Sequence, residues 1–117
     1  MRSKIARVIF PVFSNYLVHA EITNDLYKAM DRYPETKVIE DRDCEAITVN
    51  VVKEPRSFIF LKEGVSPGTI AHESWHVVRR MMNYMDVELD NEVVAYHLGH
   101  LVDKICEKAH RRIRRKK

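Results

Sequence analysis

The sequence predicts an α+β domain, with strands gathered in its first half and two long helices in its second. Three observations carry that expectation. Runs of Ile, Val and Phe within residues 4–13, 16–22 and 47–61 are short and are separated by turn residues. Beyond residue 65 the apolar period becomes helical, and Ser66 and Asp90 each stand as an oxygen-bearing cap before a long stretch. Only residues 85–89 separate those stretches, the spacing of two helices packed antiparallel.

Taken in order, residues 4–13 read as a strand whose far end Pro11 confines to a sheet edge or a bend. Ser14-Asn15 is a turn. Tyr16, Val18, Ala20 and Ile22 then alternate with Leu17, His19 and Glu21, which favours a second strand, with one helix over residues 15–32 as the alternative. Thr23 is the expected cap of a short helix carrying Leu26, Ala29, Met30 and Tyr33 and closed by Pro34. A hairpin follows. Ile47, Val49 and Val51 alternate with polar residues, Lys53-Glu54-Pro55-Arg56 turns, and residues 57–61 return with apolar side chains on both faces, as in a central strand. Ser66 with Pro67 starts the first long helix, expected to run to about Tyr84. Asp90 caps the second. Gly99 lies inside it at a cost of ~1 kcal/mol relative to Ala, and is expected to admit a close neighbouring helix.

At 117 residues the chain reads as one domain over residues 1–110, followed by a basic tail at 111–117. Apolar residues at 45% and charged residues at 32% describe a globular protein, and no apolar run approaches the ~20 residues of a membrane span. No stretch near Met1 has the order of a secretory signal, so the expected location is the cytoplasm. Cys44 and Cys106 form no paired motif and read as ordinary thiols. Six of the 20 Lys and Arg residues lie in 111–117, leaving the body net acidic. Such a tail reads first as a solvated helix end and second as a contact for nucleic acid, because no aromatic residues interleave with its charges.

The feature that speaks to chemistry is His72-Glu73-Ser74-Trp75-His76, a His-Glu-x-x-His motif. On a helix, residues four apart stack one turn above each other, so both imidazoles can reach one Zn²⁺ at ~2.0–2.1 Å without bending the backbone. Glu73 projects to the side of the pair, where it can take a proton from a water instead of ligating the metal. Without a metal, the two rings would merely line a polar groove. A catalytic zinc usually has a third protein ligand. Glu92, in the first turn of the next helix, is the candidate, returned toward the motif by the short connection. Tyr96, ~40° around the helix from Glu92, is a candidate donor to a developing oxyanion. His97 and His100 read as solvent-facing or satisfied, and His19 as a strand residue with no partner in its sequence neighbourhood.

His72-Glu73-x-x-His76 followed by Asn91-Glu92-x-x-Ala95 resembles the gluzincin group of zinc metallopeptidases. The stretch 66–102 is similar to that of small phage-encoded and bacterial zincin-like proteins. The resemblance implies a twisted sheet backing the motif helix, and zinc held by His72, His76 and Glu92. It further implies Glu73 as general base and a peptide or protein substrate lying along the sheet edge. The three-histidine metzincin pattern is excluded, since Arg79 and Met82 stand where its glycine and third histidine belong. Ala95-Tyr96 replaces the acidic residue often found after the gluzincin Glu, which leaves a zinc-binding protein without peptidase activity as the alternative expectation.

Overall fold

Residues 3–36 and 44–110 are described by the computed structural model of the chain; the expectations for 111–117 lie outside the described residues. Two hairpins build the sheet. The first pairs β1 (Ser3–Ile9) with β2 (Leu17–Thr23), setting Ser3 opposite Thr23 and Ile9 opposite Leu17. The second pairs β3 (Ala46–Asn50) with β4 (Arg56–Lys62) across the expected turn, with Ala46 opposite Leu61. β4 then lies parallel to β2, Leu17 beside Arg56, so the order is β1-β2-β4-β3 with β3 at one edge. The apolar alternation of residues 16–22 thus resolves as a strand and not a helix. β4 is interior, as its two apolar faces require.

Among the described residues three α-helices complete the domain: α1 (Leu26–Met30), α2 (Pro67–Tyr84) and α3 (Asn91–Ala109). α1 departs from expectation at its start. Thr23 is the last residue of β2, and Asp25 is the cap, accepting from the Lys28 N–H at 3.1 Å. The Thr23 hydroxyl accepts instead from the Asp25 N–H, so it shapes the turn that precedes the helix. Pro34 opens a 3₁₀ turn (Pro34–Thr36) after the helix has already ended.

The two sheet faces have separate cores. Val18, Ala20, Ile22, Ile59 and Leu61 meet Ile70, Val77, Met81, Leu101 and Ile105 of α2 and α3. Phe58 and Phe60 meet Leu26, Ala29 and Met30 beneath α1. Each fully buried aliphatic side chain contributes ~1.5–3 kcal/mol, so these layers fix how α2 sits on the sheet. Among the described residues no helix is long and apolar enough to cross a membrane.

A charge lies inside the smaller core. Glu21 is fully buried on the α1 face of β2, where it accepts from His19 Nε2 at 3.0 Å and from the Tyr33 hydroxyl at 3.2 Å, and pairs with Arg32. His19, read from sequence as partnerless, therefore has its partner two residues away on the same face.

Gly99 does not serve the close helix approach expected of it. A Cβ built there meets no atom within 4 Å. Gly99→Ala should accordingly raise stability by about 0.5–1 kcal/mol through helix propensity alone. A urea midpoint that is unchanged or lowered would assign Gly99 another role.

Candidate metal centre

The position of the motif is set six residues upstream of its first histidine. Ser66 caps α2, its Oγ accepting from the Thr69 N–H at 3.2 Å, and Pro67 occupies the first turn. Ile70, Ser74, Val77, Val78, Met81 and Met82 face inward, so the opposite stripe with His72, His76, Arg79 and Asn83 faces solvent. One turn apart on that stripe, His72 Nε2 and His76 Nε2 stand 3.3 Å from each other. Their ring planes cross at 86° with centroids 4.8 Å apart. Each ring presents Nε2 to the other, within hydrogen-bond distance.

Glu73 is rotated ~100° from His72 on the helix. It faces β3, where the Thr48 hydroxyl donates to its Oε1 and also lies 3.4 Å from its main-chain oxygen. Farther along α2, an Arg80 N–H donates to the Val51 carbonyl at 2.8 Å, and the guanidinium lies over the Tyr84 ring at 5.1 Å. Edge strand and motif helix thus run side by side in the same direction, tied at two points. Beneath the second tie the Tyr16 hydroxyl donates to Ser57 Oγ at 2.6 Å, and Ser57 donates to Asn50 Oδ1 at 2.6 Å. Burial pushes the Tyr16 phenol above its ordinary range, against the opposing pull of Ser57 and Arg80.

The other candidates are distributed along α3. Glu92 is exposed in its first turn, its main-chain N–H bonded to the Asp90 cap at 2.9 Å and its carboxylate uncommitted among the described residues. Tyr96 is 58% exposed and packs edge-on against His97, centroids 5.2 Å apart. Among the described residues, no group of three or more His, Cys, Asp and Glu side chains is gathered as a metal would need. The fold thus unites His72 with His76 and Glu73 with Thr48, and leaves Glu92 and Tyr96 on an exposed stripe of the adjacent helix.

His97 is neither solvent-facing nor satisfied. It is buried against Phe10 and Phe13, with Nδ1 donating to the Val93 carbonyl at 2.9 Å and Nε2 lacking a partner among the described residues. His100 donates to the Ile9 carbonyl at 3.3 Å, so both rings fasten α3 to the β1–β2 turn. Sequence reasoning missed Thr48, Arg80 and the Tyr16–Ser57–Asn50 chain. Their partners lie on other elements, and no local pattern marks them. Cys44 and Cys106 are free thiols, as expected. Comparison with protein-family models, with curated proteins and with solved structures returned no match.

Proposed function

We propose that the chain is a zinc-dependent peptidase in which His72 and His76 hold the metal and Glu73 is the general base, with Glu92, apart from the pair on the adjacent helix, drawn to the ion as third ligand when it binds. The observation that carries this reading is the 3.3 Å separation of the two Nε2 atoms. Two tetrahedral zinc ligands at ~2.0–2.1 Å from the metal stand ~3.3–3.4 Å from each other, so the pair fits that geometry as it is. Zinc held there would polarise a scissile carbonyl and acidify a water. Glu73, beside the pair and not part of it, is placed to take the proton of that water and to return it to the leaving amine.

The edge strand supports a peptide substrate. Among the described residues β3 has one strand neighbour in the sheet. Its residues, Ala46-Ile47-Thr48-Val49-Asn50, include none of the Lys, Glu or Pro that usually blunt an exposed edge. A strand so unprotected, running beside the motif helix, suits an extended peptide that pairs with it through main-chain bonds. One observation favours the second reading, zinc binding without turnover: neither histidine has a carboxylate or carbonyl on its other ring nitrogen among the described residues.

Metal content tests the shared premise. After zinc loading and dialysis, the wild-type protein should retain about one zinc per chain and His72→Ala should retain almost none. Equal retention by the two proteins, or none by either, would remove the centre. Zinc retained without any Glu73-dependent cleavage would select the second reading.

A further inference from the structure

We propose that Thr48 is the positioning residue of the general base, assigning different tasks to the two carboxylate oxygens of Glu73. The inference rests on the peptidase reading above and deepens it. The Thr48 hydroxyl has one proton, and its short contact is to Glu73 Oε1, while the main-chain oxygen of Glu73 lies farther away at 3.4 Å. Oε1 thus already accepts a bond, which makes Oε2 the more basic oxygen and the one to take a proton. When a water attacks, its O–H bond breaks, the proton passes to Oε2, the oxygen pair forms the bond to the carbonyl carbon, and the C=O π pair moves onto the carbonyl oxygen. As that pair re-forms the C=O bond, the C–N bond breaks with its electrons on nitrogen, and the same proton leaves Oε2 for the amine. Oε1 keeps its bond from Thr48 in both states, since a neutral carboxyl group still accepts at its carbonyl oxygen.

Thr48 is suited to the task by its location. A β-branched side chain on a strand has few rotamers, so its hydroxyl is stiffly directed. The strand beneath it is fastened at the contact and at its far end. Thr48 pairs with Ile59 in the ladder, and the end of the strand is held by Arg80 at Val51 and by Ser57 at Asn50. Glu73 itself is half-buried on a helix flank with three rotatable side-chain bonds. Without the hydroxyl it loses a single orientation.

The test compares Thr48→Val, Thr48→Ser and wild type, using a quenched-fluorescent random peptide library and then one cleaved peptide for kinetics. Valine suits a strand, so the fold should survive. Thr48→Val should lower kcat by about 10–100-fold, with KM within about twofold and zinc content unchanged. Thr48→Ser should recover to within about threefold of wild type, because it keeps the donor. A second readout needs no activity. In metal-free protein labelled with ¹³C-glutamate, the Glu73 γ-methylene signals should show one fixed conformer in wild type and averaging in Thr48→Val. An unchanged kcat, a loss confined to KM, a serine variant as poor as valine, or identical Glu73 signals would each overturn the assignment. Absence of any cleavage that Glu73→Gln removes would overturn the peptidase reading itself. Glu73-dependent cleavage indifferent to Thr48→Val would overturn this inference alone.

Discussion

Glu73→Gln should lower peptide turnover by roughly 10²–10⁴-fold and leave zinc content at the wild-type level. Glutamine keeps the length of the side chain and offers an amide oxygen to the Thr48 hydroxyl that now bonds Oε1. It cannot take a proton at neutral pH, so only the acid–base step is removed. The metal should stay because the two rings proposed to carry it, 3.3 Å apart, are untouched. The measurement is paired: kcat for one cleaved peptide and zinc per chain on the same preparation. Cleavage that persists at full rate would take Glu73 out of the reaction. Zinc lost together with activity would instead make Glu73 a ligand and require a different base.

Part of this arrangement was legible in the chain because it is local. The cap at Ser66, the proline at 67 and the four-residue histidine spacing all operate within one helix, and α2 spans Pro67–Tyr84 as its pattern indicated. Asp90 likewise caps α3 as expected. The strands followed from alternation, and the apolar faces of residues 57–61 marked β4 as interior. Contacts between elements were not legible. Thr48 reaches Glu73 across 25 residues and Tyr16 reaches Ser57 across 41, and hydroxyl groups carry no periodic signature that would announce either. Thr23 was misjudged because a threonine before a short apolar stripe fits a cap as well as it fits the last position of a strand. Gly99 was misjudged because composition does not say which side of a helix a neighbour occupies.

Removal of the buried carboxylate in the smaller core should damage the fold about as much as truncating one of its buried aromatic side chains. Glu21→Ala strips a fully buried acceptor from His19, Arg32 and Tyr33 together. The expected loss is roughly 3 kcal/mol, the low end for a broken buried pair, because Arg32 is half open to water. In a domain of this size that lowers Tm by about 12 °C. Burial alone would push the Glu21 carboxyl up. Hydrogen bonds from His19 and Ser3, the Arg32 charge and the Tyr33 hydroxyl outweigh it and hold the group below its usual value of 4.5. A carboxylate lowered on folding contributes stability that is fully present above the unfolded value and is lost as pH falls through the folded one. Wild-type stability should therefore decline with acid from about pH 4.5 downward, and Glu21→Ala should show a shallower decline over the same window. Urea midpoints across pH 7 to 3 measure both. Parallel profiles for the two proteins would deny Glu21 this role. At the other extreme, burial raises the phenols of Tyr16 and Tyr33, so stability should fall as pH climbs past about 10.

The two imidazoles and the carboxylate beside them stand on one helix, and among the described residues that carboxylate is steered from a strand with a neighbour on one side only. An edge strand, even one tied to the helix, opens before a packed helix melts, so under the proposed reading gentle warming should silence turnover while the ion is still in place. Reversible heat inactivation with the metal retained would be the visible mark of that order of melting.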